Sequence, residues 1–129
     1  MKGRLGHGSG VMFVKILKGK LHRATVTDTK LHYPGSIAID SELMEAAGIL
    51  PYESVLVADL NNGNRLETYA VPGEAGSGEV VILGAAARLV ETRDIIIVLS
   101  FGYYAAEEAV KLRPKVVVLD GNNKIKQVL

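Results

Sequence analysis

A chain of 129 residues with 15 Lys+Arg against 14 Asp+Glu carries a formal charge of only +1, too balanced for the basic face that nucleic-acid binding needs. It contains no cysteine, which removes disulfides, thiolate nucleophiles and zinc–thiolate sites and fits a reducing, cytoplasmic setting. Its longest apolar runs, such as Ile95–Leu99, fall far short of a bilayer span, so no membrane partner is expected.

Residues 1–11 begin MKGRLGHGSG, Gly-rich and without an apolar signal-peptide core. They read as an appended leader or a disordered tail, with Met12 as the natural start and 12–129 as one domain. From there the texture is short β-branched runs between turn residues, the pattern of a barrel or sandwich. Strands are predicted over Val11–Leu17, Leu21–Thr27 and Ser36–Ile39. A helix follows over Ser41–Ala47, with Asp40 as N-cap and Gly48 as its C-terminal stop. Next come strands Ser54–Leu60 and Arg65–Val71, joined at Asn62-Gly63, a dipeptide suited to the positive φ of a tight hairpin. Strands Val80–Leu83 and Asp94–Tyr103 precede a second helix over Ala105–Leu112, which pairs Glu107 with Lys111 and ends before Pro114. Lys115–Leu119 and Lys124–Val128 close the chain around the turn Gly121-Asn122-Asn123. The run Ile95–Leu99 does not alternate, so that strand is expected to be covered on both faces, in a closed barrel or at an interface between copies.

Taken singly, the polar residues say little. Gly35-Ser36 after Pro34 is locally a turn entering a strand. Thr68 reads as an ordinary strand threonine, and Tyr69 as a half-buried sheet residue with a wet hydroxyl. Arg65 and Tyr69, four apart on one strand, leave the same face, and so do Lys20 and His22. His22 has no second ligand at useful spacing, so no metal site is expected and structural hydrogen bonding suits it. Lys15, Lys18, Lys20 and Arg23 form a basic cluster that could mark a DNA-binding regulator, but it reads better as a solvated strand face.

The order of the short blocks is more specific. Lys20-Leu21-His22-Arg23-Ala24-Thr25-Val26-Thr27, then Leu31-His32-Tyr33-Pro34-Gly35-Ser36-Ile37-Ala38-Ile39-Asp40, resembles the processing region of the pyruvoyl-dependent aspartate 1-decarboxylase family. The likeness continues in Ala46–Leu50, Asn62–Arg65, Thr68–Ala70, Gly76–Gly78, Gly84–Ala87, Glu107–Ala109 and Pro114–Val116, and so spans nearly all of Met12 to Asp120.

The resemblance implies a mainly β fold, a six-stranded double-psi β-barrel with short helices, assembled as a homotetramer with sites between neighbouring subunits. It implies cleavage between Gly35 and Ser36 into an N-terminal β chain and a C-terminal α chain. The Ser36 hydroxyl attacks the Gly35 carbonyl, the amide becomes an ester, elimination leaves a dehydroalanine, and water converts that to a pyruvoyl group and ammonia. Gly35, lacking Cβ, leaves its carbonyl approachable. Thr68 is the implied donor to the oxyanion. The pyruvoyl cofactor would form a Schiff base with L-aspartate and accept the electrons released with CO2. Tyr69 is the implied proton donor on the way to β-alanine, a precursor for pantothenate. Arg65 and Lys20 are the implied substrate cations, and Thr68, Gly84, Ala85 and Ala86 complete the implied substrate contacts, small residues letting backbone N–H groups reach a carboxylate. Tyr33 matches the family and positions the loop before Gly35. One position departs: the family has asparagine where this chain has Leu83, so one carboxamide donor is missing. That departure favours the alternative, a barrel-type binding module that never cleaves.

Overall fold

The computed structural model describes residues 10–129, so most of the predicted tail, residues 1–9, lies outside the described residues. The elements run β1 (Phe13–Thr25), β2 (Asp28–Lys30), β3 (Ser36–Asp40), α1 (Ser41–Ala47), β4 (Ser54–Asp59), β5 (Arg65–Gly73), β6 (Val80–Leu83), a 3₁₀ turn (Gly84–Arg88), β7 (Ile95–Ala105), α2 (Ala106–Ala109), β8 (Lys115–Leu119) and β9 (Ile125–Val128). The fold is mainly β with short helices, as expected. Among the described residues the strands number nine, in the order β2-β6-β3-β5-β4-β7-β1-β8-β9, where the resemblance implied six. Six of them are five residues or longer, and β2, β6 and β9 are the short additions.

Helix α1 forms where predicted. The Asp40 side chain accepts from Glu42 N–H, and Gly48, at φ +72°, closes the helix by donating to the Glu45 carbonyl. Two other expectations change. The runs 11–17 and 21–27 merge into one long strand, β1, because the residues between them stay on the ladder with β7, where Lys18 is the extra residue of a bulge between the Leu17 and Gly19 rungs. The second helix shrinks from 105–112 to Ala106–Ala109. Beyond it Lys111 and Leu112 donate to carbonyls three residues back, a tight exit before Pro114, which disfavours helix at Arg113.

One core gathers Leu21, Ile37, Ile39, Val57, Ile82, Ile96, Val98 and Val117, all fully buried. In β7 the core side is Ile96, Val98 and Ser100, while Ile95, Ile97 and Leu99 on the other face are half-buried. Within the single chain, then, one face of that run is covered and the other only partly, short of the two-sided burial its pattern predicted. Polar side chains lock the strand ends. The Asn123 amide accepts from Thr25 N–H at 2.7 Å and donates to the Thr25 and Gly78 carbonyls at 2.8 Å each. Asp40 accepts from the Gly76 and Gly78 N–H groups as well as from Glu42. Burial alone would push its carboxyl up, but the donations from Gly78, Glu42 and Gly76 outweigh that and hold it below the ordinary value.

Asn123 is only 2% exposed, so Asn123→Ala strands three buried backbone groups. The expected cost is about 2–4 kcal/mol, read as a fall in the denaturant midpoint, with Asn122→Ala near neutral as the exposed control.

Candidate functional site

The predicted cleavage bond lies where three strands meet. Ser36 opens β3, is 5% exposed, and pairs with Leu83 at the end of β6. β3 also runs parallel to β5, starting at the rung Ile37–Ala70. One residue before that rung on each strand stand Ser36 and Tyr69. Side chains of level residues leave the same face, so Ser36 and Tyr69 share one. β5 changes partner at this point: Tyr69 is its last rung with β4, opposite Ser54, and Ala70 its first with β3.

Behind the bond stands Gly84, at φ +82°. A Cβ there would lie 2.6 Å from the Gly35 Cα, 2.9 Å from the Gly35 nitrogen and 3.0 Å from the Tyr33 carbonyl oxygen. Only glycine fits a left-handed conformation pressed so closely on backbone. The Tyr33–Gly35 segment therefore has Gly84 against one side, while Gly35 itself is exposed to solvent. Ala85 is exposed and Ala86 half-buried in the 3₁₀ turn that Gly84 begins.

Along β5 the ladder with β4 has no register shift, so Thr68 and Tyr69 point to opposite faces. No kink brings them together. Thr68 is half-buried on the face of Leu66 and the buried Val55, its rung partner, while Arg65, Glu67 and Tyr69 are exposed on the other. The Tyr69 ring is tilted against Tyr52, centroids 6.3 Å apart. The Tyr52 loop is tied to the same strand, since Tyr52 N–H donates to the Ala70 carbonyl and Ala70 N–H to that of Glu53. That ring contact was not legible in the sequence.

Lys20 is not brought to Ser36 within the chain. Its row across the sheet is Lys20–Leu99–Leu56–Glu67, and the next is His22–Ile97–Ala58–Arg65. Three strand spacings separate Lys20 from β5, roughly 14 Å along the sheet. His22 shares the Lys20 face, with its Nδ1 buried and unpartnered. Burial first, and then the charges of Lys20 and Arg23, hold its pKa below the ordinary histidine value.

Arg65 follows a hairpin fixed by asparagines. Asn62 and Asn64 both donate side-chain N–H groups to the Leu89 carbonyl, and Asn61 accepts from Ile95 N–H. At its base Asp59 is buried, with Oδ1 accepting from Asn61 N–H and Oδ2 without a partner. Burial, and then the neighbouring Asp94 carboxyl, push Asp59 up to about 6.

The aspartate decarboxylase family model matches residues 12–126. The chain is 55% identical over 114 residues to the aspartate 1-decarboxylase of Acetivibrio thermocellus, covering 88% of this chain and 90% of that one. It is 51% identical over 118 residues to that of Listeria welshimeri, with 92% and 93% covered, and 55% identical over 117 residues to that of Pelotomaculum thermopropionicum, with 91% and 89% covered. The chain belongs to the aspartate decarboxylase family. Within this family member, Gly84 packs on Gly35 beside Ser36, Tyr69 and Arg65 share one face of β5, and Lys20 lies apart.

Because the folded pKa of Asp59 is raised, its protonated form is favoured in the native state, and stability is lost as pH rises from about 4 through about 6. Asp59→Asn keeps the Oδ1 acceptor and cannot ionise. It is expected to melt higher than the parent at pH 7.5 and to flatten the pH dependence of the midpoint between pH 4 and 6.5 in a thermal titration.

Proposed function

We propose that this chain is a proenzyme that cleaves itself between Gly35 and Ser36 and then decarboxylates L-aspartate at the α-carboxylate, giving β-alanine for pantothenate synthesis. The observation that carries this reading is the backbone contact of Gly84 with Gly35, beside a Ser36 that shares its face with Tyr69. Gly84 limits where the Gly35 carbonyl can move, and the open side of Gly35 admits water for the final hydrolysis. Thr68, the neighbour of Tyr69 on β5, is the residue to which the family likeness gives the hydroxyl donor for the oxyanion formed as Ser36 Oγ attacks.

A pyruvoyl group fits at position 36. The residue is the first of its strand, its side chain is buried, and Gly35 and Gly84 place no side chain against it. Such a group supplies an electrophilic carbonyl for an amine and a sink for the electrons of a departing carboxylate. The remaining work falls to this chain's own groups. The Tyr69 phenol O–H is a proton donor on the Ser36 face. Its contact with Tyr52 limits ring motion. Arg65 presents a planar fork for a carboxylate, and Lys20 adds a second cation from a neighbouring subunit. Gly84, Ala85 and Ala86 offer backbone rather than bulk to the substrate.

The reading extends to a cytoplasmic homotetramer of double-psi β-barrels. Support for the assembly comes from the outer face of β4, β7, β1 and β8, where Leu56, Ile97, Leu99, Phe101, Val116 and Val118 are only half-buried, a wide apolar surface for one chain. No helix of the described residues is long and apolar enough to cross a membrane.

Intact-mass analysis of purified protein is expected to show two pieces, residues 1–35 and a 36–129 piece with a pyruvoyl N-terminus. A single uncleaved chain after prolonged warm incubation would instead support the binding-module alternative that Leu83 favours. Ser36→Ala should abolish cleavage and β-alanine formation together. Arg65→Ala should leave cleavage intact and raise the aspartate KM about 10- to 100-fold, the range for losing a hydrogen bond to a charged group.

A further inference from the structure

The segment that carries the scissile bond is held by little. Between β2 and β3, residues Leu31 to Gly35 make no side-chain hydrogen bond, and no turn or loop backbone hydrogen bond, to other described residues. His32, Tyr33, Pro34 and Gly35 are exposed, and Tyr33 is 53% exposed. Two contacts bear on the bond. One is the press of Gly84 on the Gly35 backbone and the Tyr33 carbonyl. The other is the Lys30 ammonium, 5.2 Å from the centroid of the Tyr33 ring.

Lys30 is well placed to hold that ring. It ends β2, whose rung Lys30–Leu83 continues into Leu83–Ser36. Lys30, Leu83 and Ser36 therefore form one row with side chains on one face, Lys30 two strand spacings from Ser36, roughly 10 Å. The ion pair among the described residues is Lys18–Glu53, so no carboxylate draws Lys30 away from the ring. The residue between them, Leu83, offers no hydrogen bond to the segment.

We propose that Lys30 is a positioning residue for self-cleavage: through its cation–π contact it holds Tyr33 and keeps the Tyr33–Gly35 backbone seated on Gly84. The inference rests on the self-cleavage reading above. Lys30 touches neither the bond nor the substrate. It narrows the range of backbone geometries in which the Ser36 hydroxyl meets the Gly35 carbonyl, and a loop without hydrogen bonds gains most from one such restraint. Before cleavage the contact restrains the reacting segment, and afterwards it holds only the tail of the N-terminal piece. Its effect should therefore fall on the rate of maturation and not on turnover.

The test follows the appearance of the 1–35 piece by intact mass in freshly purified full-length chain, with melting temperature measured alongside. Lys30→Gln and Tyr33→Leu are each expected to slow cleavage about 2- to 5-fold, the range of an exposed cation–π contact. The double variant should be no slower than either single one. Lys30→Arg and Tyr33→Phe, which keep cation and ring, should cleave at the parental rate. Melting temperatures should match throughout, and fully matured Lys30→Gln should turn over aspartate like the parent. Parental cleavage rates in Lys30→Gln and Tyr33→Leu, fully additive slowing in the double variant, or failure of Lys30→Arg to cleave normally would each overturn the role of Lys30 while leaving self-cleavage standing. An uncleaved parent chain would overturn both readings.

Discussion

Gly84 lies backbone to backbone on Gly35, and much of the site's geometry follows from that contact. Neither residue carries a Cβ, so the end of β6 and the start of β3 approach more closely than any side chain would permit. At φ +82°, Gly84 turns the chain out of β6 into the 3₁₀ turn that holds Ala85 and Ala86. Because Leu83 pairs with Ser36 in the preceding rung, the contact also fixes the register of β3. That register sets which β5 residue lies level with Ser36. An alanine at 84 would have to displace backbone rather than a flexible side-chain tip, and the rung, the turn and the Tyr69 alignment would shift together.

The rest of the molecule keeps this junction in place largely through buried polar side chains at strand ends. Asn123 reaches 98 residues back to clamp the end of β1 at Thr25 and also binds the Gly78 carbonyl just before β6. Asp40, at the end of β3, gathers N–H groups from α1 and from the loop before β6. β3 and β6, the strands that meet at Gly35 and Gly84, are thus tied at their far ends as well. Each lock is a charge- or amide-based acceptor surrounded by backbone donors, the arrangement that makes burial of a polar group tolerable.

Legibility followed the range of the determining interaction. Helix α1 was readable to the residue because Asp40 and Gly48 act on their immediate neighbours. The joining of runs 11–17 and 21–27 was not, since the Lys18-Gly19-Lys20 link suits a turn as well as a continued strand and only pairing with β7 decides between them. β2 was missed because Asp-Thr-Lys is too short and polar to show alternation. Gly121-Asn122-Asn123 could be read as a turn, but nothing local tells that the Asn123 amide bonds to Thr25. In the site, the family likeness named Ser36, Tyr69 and Gly84, yet their alignment depends on a parallel register between β3 and β5 that no local pattern encodes. The opposite facing of Thr68 and Tyr69 followed from strand period alone, and the unshifted β4–β5 ladder leaves it unrelieved.

That opposition and the isolation of Lys20 bear on the same question. Aspartate carries two carboxylates, and a site that decarboxylates it needs cations for binding and a wall against water. Within one chain, Arg65 is the cation on the Tyr69 strand face, while Lys20 is three strands away and separated from β5 by Leu99 and Leu56. No rotamer of a lysine spans roughly 14 Å of sheet. A second copy seated on the outer face would cover Leu56, Ile97 and Leu99, an apolar face that the single chain leaves half-covered. Lys20 lies on that face too, and in the assembly proposed above it would serve a neighbouring chain's site rather than its own. The unpartnered Nδ1 of His22 sits on that face beside Lys20, where a neighbouring chain could offer it a donor or a carbonyl.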